Sequence, residues 1–429
     1  MIDLKDLREN PDRYRRGVQR KHMDVDVDAL LKLDEQRREQ QQAFETLRAE
    51  QNVASKAIGK ASPDERPAKI AAVGELKAQV QAADEKAKAL TAEVDALALH
   101  VPQPPDDDVP DGVGEQDNVV VEYVGQRRDF GFEPKSHIEL CESLGLADFK
   151  AGVKLAGSRM YVLKGAGALL HNAVTRMAMD MMTGEHGFTA AYVPVIVREE
   201  TLVGTGFFPS HREAVYHIPD DDLFLVGTGE VGLTGLHMNE VLREEDLPLK
   251  YVTTSTCFRR EAGTYGKDTA GFYRVHQFDK VEQVVLCKND EAESRRWHKT
   301  MLGYAETMLQ RLDIPYRKLQ CCAGDLGPKN ADMIDLESYM PSRQQGDDPE
   351  TAYGETHSAS RLYDYQARRL NVRYKTADGQ TKFVHTLNNT VIANPRILIP
   401  ILENHQNADG SVTVPEALRP YMNGLDVIR

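Results

Sequence analysis

Cysteine and tryptophan are scarce in this chain, five and one among 429 residues. Cys141, Cys257, Cys287, Cys321 and Cys322 are too few and too scattered for a disulfide framework, and no CxxC or Cys/His metal spacing occurs. No run of about 18 apolar residues is present, which excludes a transmembrane helix. The opening MIDLKDLRENPDRYRRG is charged throughout and has no apolar signal core, so the expectation is a soluble, cytoplasmic protein with no membrane partner. Basic excess is also missing. With 53 Lys+Arg against 67 Asp+Glu the net charge is −14, which argues against broad nucleic-acid binding and leaves room only for a local basic stripe. The familiar nucleotide and hydrolase signatures fail too: there is no GxxxxGK[ST], GxSxG or HExxH. GAGALL (165–170) lacks the third glycine of a dinucleotide fingerprint and reads as a plain turn into a helix. Any nucleotide must therefore sit in a site other than a P-loop.

What is present divides into two unlike parts. From Val27 to Val101, Ala, Gln, Glu, Lys and Arg dominate. Leu30, Leu33, Phe44, Leu47, Ala54 and Ile58 fall on a 3-4 spacing, with Arg37, Gln40 and Gln51 interrupting the seam. Gly59 to Pro67 breaks the stripe, which resumes through Val73, Leu76, Val80, Ala83, Ala87, Leu90, Val94, Leu97 and Val101. Two stripes of similar length around a breaker predict an antiparallel helical hairpin, about 45 Å long at about 1.5 Å per residue. Periodicity alone leaves open whether it serves dimerisation or recognition. VPQPPDDDVPDG (101–112) cannot continue a helix and reads as a linker, giving expected domains of 1–112 and 113–429.

From Asn118 the texture is that of a mixed domain. HNAVTRMAMDMMTGEHG (171–187) and SRRWHKTMLGYAETMLQRL (294–312) are helical; LKYVTTSTCFRR (249–260), YRVHQFDKVEQVVLC (273–287) and KFVHTL (382–387) are β-rich. Strand runs lie close together without regular βαβ spacing, so the fold class is α+β, an antiparallel sheet flanked by helices behind the hairpin.

FRREAGTYGKDTAGFYRVHQFDKVEQVV (258–285) reads as strand, glycine-rich loop, strand. Arg274, Phe278 and Glu282 recur every four residues and would share one sheet face, about 13 Å between neighbours. A cation, an aromatic plate and a carboxylate in line suit an extended ligand bearing phosphate, a base and an amine. The same alternation also suits a half-exposed strand with cross-strand ion pairs. In LNNTVIANPRILIPILENHQ (387–406), Asn394 is placed to cap a helix with Pro395 at its first position. That puts Arg396 in an anion-favouring first turn, with a kink at Pro400. ETHS (355–358) sets a carboxylate and a hydroxyl three apart, oxygen donors that suit Mg²⁺; surface capping is the commoner reason for such spacing.

Together these segments closely resemble the seryl-tRNA synthetase family of class II aminoacyl-tRNA synthetases, over essentially the whole chain. GFTAAYVPV (187–195), with Pro194, resembles motif 1 of the dimer interface; FRREAG to KVEQ resembles motif 2, and NNTVIANPRILIPILEN motif 3. YDYQARRLNVRY (363–374) and LVGTGEV (225–231) resemble seryl-specific stretches. The resemblance implies ATP-dependent ligation of serine to tRNA(Ser), and to tRNA(Sec), through seryl-adenylate, by a homodimer using ATP and Mg²⁺. It implies that Arg259 holds the α-phosphate and the serine carboxylate, with Arg260 beside it in motif 2. Glu261 would lie next to the adenine, Phe278 stack on it, Val275 line the ATP site, Arg274 meet the γ-phosphate and Arg396 clamp the far side. Glu355 and Ser358 would bind Mg²⁺ and phosphate within an ATP-contacting stretch that includes Thr356 and His357. Thr228, Gly229, Glu230, Glu282 and Thr390 would enclose serine, with Asn388 nearby. Departures from the family pattern are Gly229, Gly232, Arg260, Arg361 and Thr390, and the glycines predict a looser serine loop. PSRQQGDDPETAYG (341–354) predicts a surface loop. An amino acid:carrier-protein ligase would share this core without the hairpin, and an inactive scaffold would not need Arg259, Glu261, Arg274, Glu355 and Arg396.

Overall fold

The computed structural model of the chain describes residues 1–262 and 270–429; the glycine-rich stretch GTYGKDT (263–269) lies outside the described residues. The chain forms two compact units, Met1–Pro104 and Pro105–Arg429.

In the first unit, α1 (Leu4–Glu9) and α2 (Pro11–Arg20) precede the hairpin of α3 (Val27–Ile58) and α4 (Arg66–Ala98). The heptad positions face inward along both helices, as the spacing predicts. Full burial is confined to the half away from the connecting turn, at Val27 and Leu30 on α3 and Ala83, Ala87, Val94 and Ala98 on α4. Seam positions nearer the connecting turn, such as Phe44, Gln51, Val73 and Val80, are only half-buried. The stripe did not predict Asp34, which is 1% exposed and binds three arginines: Arg8 Nη1 at 2.8 Å, Arg37 Nη2 at 2.6 Å and Arg38 Nε at 3.3 Å. Their charge outweighs burial and lowers the carboxyl's pKa.

The second unit is built on an eight-stranded sheet. Its strands are β1 (Val119–Val124), β2 (Thr189–Ala190), β3 (Leu249–Phe258), β4 (Gln277–Cys287), β5 (Tyr316–Gln320), β6 (Asp332–Tyr339), β7 (Tyr353–Tyr363) and β8 (His385–Asn394). The order is β1-β5-β6-β7-β8-β4-β3-β2, antiparallel throughout except for the β2–β3 pair. Alternation along β4 divides the faces. Val281 and Val285 join a core closed by α5 (Gly165–Asp180) and α7 (Glu291–Arg311), while Phe278, Lys280 and Glu282 face the other way. Between them in sequence, α6 (Glu230–Gly235) lies over β4 and β3. The chain continues past β8 into α8 (Leu398–Asn404).

Several local expectations are corrected. KFVHTL divides between a short strand, Thr381–Phe383, and β8. The proposed linker is not free from Pro105 onward: Asp106 pairs with Arg361, and Val109 packs on Cys321, Ala323 and Leu326. Arg274 precedes β4 and is not on the strand. Asn394 does not cap a helix, because β8 continues through it, paired with Asp279. The cap of α8 is Ile397, so Arg396 stands in the turn before the helix. Pro400 causes no kink, since it occupies the first turn, where an N–H has no intrahelical acceptor. Met177 of α5 and Met181 and Met182 just after it are buried in the core of this unit. Only the middle of the 341–354 segment, 344–349, is continuously exposed: Ser342 bonds Glu403, Glu350 pairs with Arg127, and Tyr353 and Gly354 are buried at the start of β7.

Candidate active site

The cleft-facing side of β4, β8 and β7, the turn after β3 and the turn before α8 enclose a cleft of about 270 Å³. Strand register assembles its floor. Glu282 of β4 is the register partner of Thr390 of β8, and Asn388 pairs with Ser360 of β7; Thr253 of β3 stands in the same row as Glu282 but is covered by Gly229 and does not line the cleft.

At one end lie cations and rings. Arg259 follows β3 directly; its guanidinium stands 5.1 Å from the Phe278 ring centre, and its Nε donates to Gly227 O at 3.4 Å. Arg274 Nη1 donates to Glu261 Oε2 at 2.7 Å. Arg396 donates from Nε to Tyr273 O and from Nη1 to Glu355 O, both at 3.0 Å, with its guanidinium over the Tyr273 ring at 4.5 Å. These hydrogen bonds fix three forked donors around an open volume beside a ring, a geometry suited to a polyphosphate carrying a flat base.

At the other end are two buried carboxylates. Glu230 Oε1 accepts from Lys329 Nζ at 2.5 Å and from Gln366 Nε2 at 2.7 Å, while its N–H donates to the Thr228 hydroxyl at 3.2 Å. Glu282 pairs with Lys280. Burial raises the Glu282 pKa, Lys280 opposes this, and Glu230 adds to it. Between the ends, Asn388 Nδ2 is buried with no hydrogen-bond partner among the described residues, a donor left for a ligand. Asp335 behaves similarly on β6, opposite Ser358: its Oδ1 is buried without a partner. Burial first and Glu355 second push this acid well above the usual carboxylate range, with the Ser358 hydroxyl opposing. Glu355 and Ser358, which line the cleft, offer oxygen donors, with Asp335 buried behind them.

The structure brings Thr228, Glu230, Arg259, Glu261, Arg274, Val275, Phe278, Glu282, Glu355, Thr356, Ser358, Asn388, Thr390 and Arg396 to this cleft. It does not bring Arg260, whose side chain lines a separate surface hollow with Arg212 and His217. Nor does it bring His357, which alternation turns to the opposite face, where it bonds Val391 O at 3.0 Å and burial lowers its pKa to about 4. Gly229 lies behind the lining and does not loosen the loop. A Cβ there would stand 2.6 Å from Thr253 Cγ2, so glycine permits tight seating. Lys280, Lys329, Tyr273, Phe207 and His211 also line the cleft and were not foreseen. Lys280 was legible in principle, sharing parity with Phe278 and Glu282; Lys329 gave no local signal.

Comparison with known proteins follows the same division. Residues 1–105 match the model of the seryl-tRNA synthetase N-terminal domain, and 215–405 that of the tRNA synthetase class II core domain (G, H, P, S and T). The serine–tRNA ligase of Deinococcus radiodurans is 43% identical, and that of Thermobifida fusca 46%, each match covering 100% of this chain and 99% of the relative. Among solved structures, seryl-tRNA synthetase from Pyrococcus horikoshii complexed with ATP superposes with a TM-score of 0.91 at 36% identity, covering 100% of this chain and 99% of that one. The cytoplasmic enzyme of Naegleria fowleri in complex with AMP gives 0.87 at 30% identity, covering 98% and 96%.

Proposed function

The chain belongs to the seryl-tRNA synthetase family, and on that premise we propose how its cleft performs the family's reaction. The enzyme attaches serine to tRNA with ATP, through an adenylate. The observation that carries the site assignment is the polarity of the cleft: forked cations and rings at one end, two buried carboxylates at the other, in one sheet register.

ATP lies with its base against Phe278, beside Glu261 and Val275, and its phosphates between Arg259, Arg274 and Arg396. Serine lies with its ammonium and hydroxyl among Thr228, Glu230, Glu282 and Thr390, where Asn388 gains a partner. Its carboxylate then faces Arg259, next to the α-phosphorus. A carboxylate oxygen attacks in line and pyrophosphate leaves; the 3′-terminal ribose hydroxyl of tRNA next takes the seryl group and releases AMP. The chain supplies no covalent group. It contributes position and fixed positive charge where negative charge spreads. An analogue lacking the hydroxyl would leave buried acceptors unpaired, which selects serine over alanine. Glu355 and Ser358, with Asp335 behind them, fit Mg²⁺, which when bound would offset phosphate charge.

The hairpin unit, matched by the N-terminal family model, is assigned to tRNA recognition, and tRNA(Sec) is proposed as a second acceptor. A homodimer is proposed through the motif 1 segment, where Tyr192 is 97% exposed and Ile196 is also exposed. Cytoplasmic location follows from the reaction. Among the described residues no helix is long and apolar enough to cross a membrane. Serine-dependent ATP–pyrophosphate exchange, followed by charging of total tRNA, tests the reading. Exchange without charging would favour a carrier-protein ligase, and absence of both an inactive scaffold.

A further inference from the structure

Gly229 has φ −64°, a conformation open to any residue, so its backbone does not call for glycine. The space does. A Cβ would meet Thr253 Cγ2 at 2.6 Å, Ser255 Oγ at 2.9 Å and Glu282 Cβ at 3.4 Å. Thr253 cannot easily yield: it is fully buried in β3, and a β-branched side chain is stiff at χ1. Three residues on, a Cβ at Gly232 would stand 2.6 Å from Val193 Cγ2. The start of α6 is therefore seated closer to β3 at Gly229, and to the segment after β2 at Gly232, than any larger residue would allow.

What this seat carries is Glu230. Its carboxylate is held by Lys329 and Gln366, and its backbone directly follows Gly229, so a shift of the helix start moves Glu230 against those anchors. The residue beneath, Thr253, is the register partner of Glu282, the opposing acid. The Gly229–Thr253 contact thus sets the distance between the two walls of the amino-acid end.

We infer that this contact is a spacer that sizes the amino-acid pocket: Gly229 is a positioning residue whose missing methyl keeps Glu230 close enough to Glu282 to hold serine and turn away threonine, one methyl larger. The inference rests on the assignment of Glu230 and Glu282 to the amino acid. One methyl in a fitted pocket discriminates about 10–200-fold, so a displacement of one wall is readable in kinetics.

The test uses the full chain in four forms: wild type, Gly229→Ala, Thr253→Ser, and both together, the last exchanging one methyl for another. Serine- and threonine-dependent pyrophosphate exchange is measured, with circular dichroism and urea unfolding as controls. Gly229→Ala should raise the serine KM about tenfold, leave the ATP KM unchanged and cut the serine-over-threonine preference by a similar factor. Thr253→Ser alone should stay near wild type, and the double variant should return within about twofold of it. A folded Gly229→Ala with unchanged serine KM, or a defect that Thr253→Ser does not relieve, overturns the inference. So does a Gly229→Ala that folds only with Thr253→Ser and is then kinetically wild type, since the contact would serve folding alone. Absence of serine-dependent exchange in the wild type would instead overturn the functional reading itself.

Discussion

Replacing Arg361 with alanine should cost the catalytic unit about 3 kcal/mol of folding stability. The side chain is 3% exposed, and its guanidinium holds two acids from different parts of the chain: Asp106, at the start of the unit, and Asp332 of β6 at 3.1 Å. Removing one partner of a buried ion pair typically costs about 3–5 kcal/mol, because a charge is left without compensation. Here each acid keeps other partners, which puts the loss at the lower end. Asp106 retains Arg295 at 3.2 Å and the Tyr363 hydroxyl at 3.1 Å, and Asp332 retains Gln320 at 2.8 Å and His298 at 3.4 Å. Trp297 is the chain's single tryptophan and lies on α7 beside this network, so its fluorescence reports on the right unit. Urea midpoints of wild type and Arg361→Ala at pH 7.5 and at about pH 3.5, below the unfolded carboxylate range, give the answer. The Asp332 carboxyl is now held below its ordinary range, its partners outweighing burial. It therefore stabilises the fold above its unfolded pKa, and that contribution fades as pH falls. Without Arg361 the buried acids take up protons more readily, so the deficit should shrink on acidification. A difference under about 0.5 kcal/mol, the usual bound for a surface substitution, or a deficit that grows at low pH, would refute the reasoning.

Arg259→Ala should lower serine-dependent exchange about 10²–10³-fold, by analogy with loss of one charge-stabilising donor, and leave urea unfolding unchanged because the residue is exposed; near-normal exchange would remove it from the site. Burial lowers His357 and His385 to about 4, so both favour the fold when neutral. Stability should fall as pH drops from about 6.5 toward 4, by on the order of 3 kcal/mol per histidine, read from urea midpoints across that range; a flat profile would contradict their burial. Deleting 27–101 should leave exchange intact and abolish tRNA charging; joint loss of both, or retained charging, would end the recognition-arm assignment.

The sequence revealed periodic elements better than junctions. Both stripes of the hairpin follow the 3-4 spacing residue by residue, because a two-helix seam is read directly from period. Alternation along β4 likewise placed Phe278 and Glu282 on one face. The same arithmetic misplaced Arg274, which reaches the cleft from a loop through Glu261. Arg396 lines the cleft, but from a different local structure than capping chemistry predicts, since strand pairing carries β8 past the expected helix start. Lys329 was invisible because its partner, Glu230, is distant in sequence; at Asp34 the local arginines Arg37 and Arg38 were in view, but Arg8, which closes the cluster, comes from another helix. Tertiary pairing of charges leaves no periodic trace.

The uneven burial of the hairpin bears on the tRNA recognition proposed for it. With full burial only in the half away from the turn, and Asp34 there bound by three arginines, opening should begin at the turn and spread along the helices. Amide exchange would then slow progressively from residues 55–70 toward Leu30 and Val94. Such an arm can bend its outer turns to fit RNAs of differing outline while the helices at its base stay closed on each other. Ordering those turns on contact draws on binding energy. Packing the outer seam with larger apolar residues, for example Gln51→Leu, should therefore tighten binding to one RNA shape and narrow the range of shapes accepted.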